Sequence, residues 1–423
     1  MGSRVLLVGA GAREHAIAWK LRQSPKVDEV FVAPGNAGTA AVATNVPVTP
    51  KDIDGLVKAA AGLRIDFYLA TMDDPQPLGL VDKLQATGIL CYGPSAQAAQ
   101  LESSKAWAKA FMERHGIPAA ESRTFSDYRA ACAYVESRPD GPLVVKASGL
   151  AAGKGAMVCN DSREVLEALD IAMVRKDFGV AGETVVIEER LTGWEASAHA
   201  FCDGKTAVMM PYATDYKRAG DGDIGLNTGG MGSYSPSVGV DARLARAVYD
   251  AVVAPTIVGM AEEGIPFNGT LFPGLMITPG GLRVLEYNAR FGDPETQSLM
   301  VRLESDLFSI CEAAAQQRLA NVPVVWSDDA SVSVVLASGG YPATYKLGYV
   351  IEGLDAVDDG VQVFHAGTKA DPRGVLSYGG RVLTVTATGK TIAEARLRAY
   401  DNARRIRFVD MFYRKDIAAG IDE

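Results

Sequence analysis

Four short apolar runs mark the first part of the chain: VLLVG (5–9), EVFVA (29–33), DFYLA (66–70) and ILCYG (89–93). Within them apolar and polar positions do not alternate, so each strand is expected to be covered on both faces. Between the first two runs, residues 13–23 carry Ala16, Ile17, Trp19 and Leu21 as an apolar helical face. Strand, helix and strand in this order predict a small open α/β domain with a parallel sheet over 1–101.

From Ser103 the pattern changes. SSKAWAKAFMERHGIP predicts a helix capped by serine and stopped by Gly116 and Pro118. A strand LVVKA (143–147), a glycine-rich loop, a helix near 163–173 and a strand TVVIEE (184–189) follow. A polar, glycine-dense stretch, 218–236, precedes another helix and the strand RVLEYNA (283–289). After Val322 short β-rich pieces (VSVVLAS, VQVFHAG, RVLTVTATG) lead to a closing helix over 392–406. The chain is therefore expected to form an α/β unit (1–101), a central α+β unit (102–324) and a small β-rich unit (325–423).

Composition narrows the function. Hydrophobic residues make up 48% and charged residues 22%, with a net charge of −9 and no long run of Lys or Arg. Nucleic acid and anionic membranes are held by clustered cations, so neither is an expected partner. The five cysteines show no CxxC spacing and read as reduced thiols of a cytoplasmic protein. No leader-like apolar region and no run of transmembrane length is expected.

The opening RVLLVGAGAREHA invites comparison with a dinucleotide-binding turn, and fails it twice. The third small residue of that fingerprint is replaced by Glu14, and the second strand ends in VAPG with no acid for a ribose. What survives is general: Gly9 and Gly11 bring backbone N–H groups and a helix start toward an anion, and Arg13 adds a cation. The alternative is a tight turn without a ligand.

VVKASGLAAGKGAMV places Lys146 on a strand and Gly149, Gly153, Lys154 and Gly155 on the loop after it. It is not a Walker loop, since Gly155 stands where Ser or Thr would follow the lysine. Two lysines bracketing a glycine loop nonetheless suit a nucleoside triphosphate, with a surface hairpin as the alternative. VVIEERLTGWE then offers Glu188, Glu189, Leu191 and Glu195, a strand end that could frame a base and ribose or be a solvated edge. In VLEYNARFGDPET, Glu286 and Asn288 lie two apart on one strand, so both face the same way. With Arg290, Asp293 and Glu295 following, they could seat a hard cation such as Mg²⁺.

The ordered set GAREHA, VAPGNAGTA, LESSKAWAKAFMERHGIP, VVKASGLAAGKG, VVIEERLTGWEAS, TDYKRAGDGDIGLNTGGMGSYSP, LEYNARFGDPETQ, SGGYP, FHAGT and FYRKDI resembles the glycinamide ribonucleotide synthetase (phosphoribosylamine–glycine ligase) family. The resemblance runs through essentially the whole chain, and the chain's end implies the single-function form. It implies an ATP-grasp central domain with a mobile lid over 119–192. It implies a soluble, monomeric enzyme acting on ATP, glycine and 5-phosphoribosylamine with Mg²⁺, or Mn²⁺ in its place.

By that resemblance Lys105 and Lys146 contact phosphates under the Gly149–Gly155 loop, including Gly153 and Lys154. Glu188, Glu189 and Leu191 frame adenine, and Glu195 takes the ribose. Glu286 and Asn288 hold the metal. Arg290 pairs with the glycine carboxylate, helped by Asp215, Lys217, Asn227, Thr228, Gly229 and Gly230. Gly11, Arg13, Glu14, Asn36, Gly38, Thr39, Asp73 and Asp293 border phosphoribosylamine.

The implied chemistry is formation of glycyl phosphate and ADP, followed by attack of the amine. Positioning and charge stabilisation suffice, and no protein nucleophile is expected; His115 and His365 read as structural. Three departures from the family pattern stand out: Thr71-Met72-Asp73-Asp74-Pro75 for a Gly-Pro-Glu turn, Ser148 for Asp, and Tyr216 for His. The strand TLFPGLMI (270–277) also lacks a metal carboxylate. They leave open a ligase for another amino acid or amine, while a non-catalytic nucleotide-binding regulator would have lost Lys146, Lys154, Glu286 and Asn288.

Overall fold

The computed structural model describes residues 2–151 and 155–421, so Gly153 and Lys154 lie outside the described residues. The first unit holds a five-stranded parallel sheet in the order Thr44–Asn45, Val27–Pro34, Ser3–Gly9, Phe67–Leu69, Leu90–Tyr92. Apart from the short edge strand Thr44–Asn45, its strands are largely buried on both faces, as their apolar runs require. The helix Ala12–Leu21 starts directly at the tip of the central strand, which aims its N-terminus out of the sheet edge.

Two antiparallel sheets follow. The smaller orders Ser122–Phe125, Val185–Glu189, Leu143–Ala147 and Ala156–Cys159, backed by the helices Tyr128–Glu136 and Ser162–Leu169. The larger is built on the long strand Asn268–Thr278, flanked by Trp194–Ser197, Ala200–Asp203 and Gly281–Asn288. The predicted capped helix is Lys105–Arg114, and Ser104 Oγ accepts from Trp107 N at 3.2 Å.

The polar, glycine-dense stretch is not a plain loop. It forms a hairpin, Arg218–Gly220 with Ile224–Asn227, and then the strand Gly232–Ser235. That strand pairs with Ala330–Ala337 in the C-terminal sheet, which also holds Thr214–Asp215, Arg381–Gly389 and Gln362–His365. Hydrophobic patterning misses it because, Tyr234 apart, its core contacts are hydroxyls. Ser233 Oγ meets Ser298 Oγ at 2.8 Å, Ser298 donates to Ser333 at 2.8 Å, and Ser333 meets Thr386 at 2.8 Å. Satisfied hydroxyls can be buried where unpaired ones could not.

One helical run, Ala242–Glu262, is long and apolar enough to cross a bilayer by length and composition, contrary to the expectation of none. Its apolar side is used internally. Val248, Val252, Val253, Ile257 and Met260 pack into the core behind the larger sheet.

Candidate functional site

The strand Gly281–Asn288 carries the centre of the site. Glu286 and Asn288 share its face, as the spacing predicts. Burial pushes the Glu286 carboxyl up, but Lys146, Lys217, Lys105 and Arg290 outweigh it and hold the group below its ordinary range. Lys146 donates to the Leu285 carbonyl at 2.9 Å, which ties the smaller sheet to this strand. Lys105, at the start of its helix, reaches the Gly149 carbonyl at 3.4 Å. Four cations thus converge on one carboxylate, a setting for a polyanion.

Glu188 is buried between two ammonium groups, Lys146 and Lys109. Glu189 is exposed and accepts from Glu121 N at 3.1 Å. Leu191 is half-buried nearby in sequence, and Glu195 is exposed and ion-paired with Lys217. Gly155 accepts from Ala147 N at 2.8 Å, closing the base of the glycine loop.

Arg290 is held by three partners. Its Nε pairs with Glu102 at 3.0 Å, Nη1 donates to the Phe291 carbonyl at 3.0 Å, and Nη2 donates to Asn288 Oδ1 at 3.0 Å. A guanidinium has five N–H groups, so among the described residues one remains without a partner on each terminal nitrogen. That pair matches the two oxygens of a carboxylate. Glu102 also accepts from Ala289 N at 2.7 Å, and burial raises its pKa to about 7 against the pull of Arg290.

A second carboxylate centre lies beside it. Burial and the neighbouring Glu295 raise the Asp215 carboxyl well above its usual range, opposed by Lys217 and Arg381. Glu295 accepts from Ser197 Oγ at 3.0 Å. Gly230 has φ +107°, and a Cβ there would overlap Pro294 Cδ and lie 2.5 Å from Asp215 Oδ1. Thr228 Oγ1 accepts from Gly230 N at 2.9 Å and donates to the Lys217 carbonyl at 2.9 Å. Asn227 is exposed at the end of the hairpin. Arg381 Nη1 donates to the Gly229 carbonyl at 2.6 Å.

The opening turn is partly served by its own chain. Glu14 accepts from Gly11 N at 2.8 Å and pairs with Arg13 Nε at 2.7 Å, while Arg13 Nη1 donates to Phe291 O at 3.0 Å. Asp73 is held below its usual range because Arg290 and Arg13 outweigh its burial. Asp293 is likewise lowered against its burial, by Arg381 and then Arg13. Arg13, Asp73, Arg290 and Asp293 are thereby brought into one electrostatic neighbourhood.

Asn36 is saturated: Nδ2 donates to Ala10 O at 2.9 Å and His365 O at 2.7 Å, and Oδ1 accepts from Gly38 N and Thr39 N. It shapes the turn rather than offering a free amide. A Cβ on Gly38 would meet the His15 ring at 2.5 Å. His365 N donates to His15 Nδ1 at 2.9 Å, so the histidine pair ties the C-terminal sheet to this turn.

Family profiles match the chain in three consecutive parts: phosphoribosylglycinamide synthetase N domain over 3–102, ATP-grasp (A) domain over 103–296 and C domain over 331–420. The phosphoribosylamine–glycine ligase of Vibrio vulnificus is 47% identical over 98% of this chain and 97% of its own length. The chain belongs to the phosphoribosylglycinamide synthetase family. The trifunctional purine biosynthetic protein adenosine-3 of Gallus gallus is also 47% identical, and there the chain spans 42% of the relative. The crystal structure of phosphoribosylamine–glycine ligase from Thermotoga maritima superposes with a TM-score of 0.86 at 32% identity, covering 98% of this chain and 100% of that one.

The activity of this synthetase family member is therefore ATP-grasp ligation of glycine to phosphoribosylamine in purine biosynthesis. ATP-grasp ligases use ATP with a divalent metal ion. The family match favours this reading over a ligase for another amino acid or amine. The departures at two positions have structural duties. Ser148 Oγ accepts from Ala106 N at 3.1 Å, and the Tyr216 hydroxyl accepts from Ala418 N at 2.9 Å.

Sequence reasoning passed over Glu102, Lys109 and Arg381 as site residues. Each lies in a quoted motif or strand, but its importance comes from a partner distant in the chain: Glu102 with Arg290, Lys109 with Glu188, Arg381 with Asp293.

Proposed function

We propose that Arg290 receives the glycine carboxylate on its two remaining N–H groups, and that this arrangement organises the whole reaction. The observation that carries the proposal is the fixed guanidinium, held on three sides by Glu102, Phe291 and Asn288 with its outer edge uncommitted among the described residues. Lys105, Lys146 and the 149–155 loop hold the triphosphate, and Glu188, Glu189, Leu191 and Glu195 line the nucleoside. Gly11, Arg13, Glu14, the 36–39 turn, Asp73 and Asp293 border the amino sugar, with Asp215, Lys217 and the 227–230 turn between the two substrates.

Among the described residues no cluster of three or more His, Cys, Asp or Glu side chains is arranged to hold a metal ion. Glu286 and Asn288 supply one carboxylate and one amide oxygen. Such a pair fits a hard cation, Mg²⁺ or Mn²⁺, that takes its remaining oxygens from phosphate and water. Bound there, the ion would neutralise charge on the transferred phosphoryl group.

The chain's own contribution is positioning. A carboxylate oxygen of glycine attacks the γ-phosphorus as the bond to ADP breaks, giving glycyl phosphate. The amine nitrogen of phosphoribosylamine then attacks the acyl carbon, phosphate leaves with the electron pair of the broken C–O bond, and the nitrogen gives up a proton to the departing phosphate or solvent. Arg290 keeps the first nucleophile in line, and the lysines stabilise charge on the phosphoryl oxygens. The enzyme acts as a cytoplasmic monomer, with units near 1–101, 102–324 and 325–423 and a lid over 119–192.

The test is ADP release with glycine and freshly prepared phosphoribosylamine, compared with alanine, serine and ammonia. Turnover that depends on glycine supports the proposal. ADP release that ignores the amino acid would overturn it.

A further inference from the structure

Three elements bring charged side chains to one buried point in the smaller sheet. Lys109 comes from the helix Lys105–Arg114, Lys146 from the strand Leu143–Ala147, and Glu188 from the neighbouring strand Val185–Glu189. Their side chains are 8%, 8% and 3% exposed. Lys109 Nζ pairs with Glu188 Oε2 at 2.5 Å, and Lys146 contacts Glu188 Oε1. Burial pulls the Lys109 ammonium down in pKa while Glu188 supports its charge.

Lys146 has three N–H donors, and Glu188 and the Leu285 carbonyl account for two. Among the described residues, one donor is left for a phosphate oxygen. Charge is the harder requirement. Lys146 and Glu188 alone form a neutral pair, and a neutral pair at so little exposure would attract a polyanion weakly. Lys109 alters that balance, because two ammonium groups and one carboxylate leave the triad with one net positive charge.

Resting on the reading of Lys146 and Glu188 as nucleotide ligands, we infer that Lys109 is a positioning residue of the nucleotide site. It neutralises Glu188 so that the charge of Lys146 is left for the nucleotide phosphates. Lys109 itself touches neither base nor phosphate; it acts through Glu188.

The experiment is titration calorimetry of MgADP against the wild-type chain, K109M, E188Q, K146M and the double variant K109M/E188Q. K109M is expected to weaken binding by ~10-fold or more, the scale of one charge-assisted contact. The double variant is expected to bind no more weakly than E188Q alone, because removing the carboxylate frees Lys146 without Lys109. A packing role would not produce that recovery.

Wild-type affinity in K109M would overturn the inference, and so would a double variant weakened by the product of the two single effects. Circular dichroism checks the fold, and K109Q replaces K109M if the latter is not native. Wild-type MgADP affinity in both E188Q and K146M is a separate outcome, which would remove the nucleotide-site reading itself.

Discussion

Arg381 Nη2 donates to Asp293 Oδ2 at 2.9 Å, and Nη1 of the same guanidinium reaches the Asp293 carbonyl at 2.9 Å. One arginine of the C-terminal sheet thereby fixes an aspartate that also faces the opening turn, where a Cβ on Gly11 would lie 3.4 Å from Asp293 Oδ2. Nη1 additionally holds the Gly229 carbonyl. Three distant parts of the chain are registered by one side chain.

Arg381→Met should therefore loosen both the 229–230 turn and Asp293. Removing one partner of a fully buried pair costs about 3–5 kcal/mol, and partial exposure of this one places the loss near or below the lower end. We expect a Tm lower by several degrees and a raised KM for glycine and phosphoribosylamine with little change for ATP. Thermal unfolding and steady-state kinetics measure both; an unchanged KM for the two small substrates would refute the registering role.

Arg290→Lys keeps a charge near Glu102 but loses the planar fork. The glycine KM should rise by roughly 10- to 100-fold, the range of one or two charge-assisted bonds, with the ATP KM nearly constant. Initial rates at varied glycine decide it. A glycine KM within twofold of wild type would reject the carboxylate assignment.

Glu286→Ala removes the carboxylate of the proposed metal position while leaving its neighbouring cations in place. Turnover with MgATP should be abolished, and the circular dichroism spectrum should stay native. Full activity in this variant would refute the metal assignment.

Acid should destabilise the protein through its buried histidines. Burial pushes His15 and His199 down to about 3 and His365 down to about 4, with His365 adding to the effect on His15 and Arg290 to that on His199. The folded state then binds fewer protons than the unfolded chain. Stability is full above the ordinary histidine value of 6.5 and falls as pH drops below it. Each histidine contributes a slope of about 1.4 kcal/mol per pH unit.

His199→Phe should flatten this dependence between pH 6 and 4, since His199 stacks on Phe272 at 4.0 Å and, among the described residues, neither ring nitrogen has a hydrogen-bond partner. Tm measured across pH 4–7 tests the slope. A variant as acid-sensitive as wild type would exclude His199 as a contributor.

Much of this molecule is legible along the chain. Unbroken apolar runs announced a parallel first sheet, because strands covered on both faces have no polar side to alternate. Ser104 announced the helix that carries Lys105, and the two-residue spacing of Glu286 and Asn288 put both on one face. These features are local, set by backbone period and capping within a few residues.

What the tertiary structure decided is who stands opposite whom. The strand Gly232–Ser235 reads as loop until its hydroxyls meet Ser298 and Ser333. Glu102, Lys109 and Arg381 look like ordinary surface charges until burial pairs them with Arg290, Glu188 and Asp293. A charge gains such a role from the low-dielectric contact with its partner, and no local pattern encodes a partner many residues away. The sequence alone determined the chemistry available at each position; the fold determined which charges cancel and which remain to bind substrate.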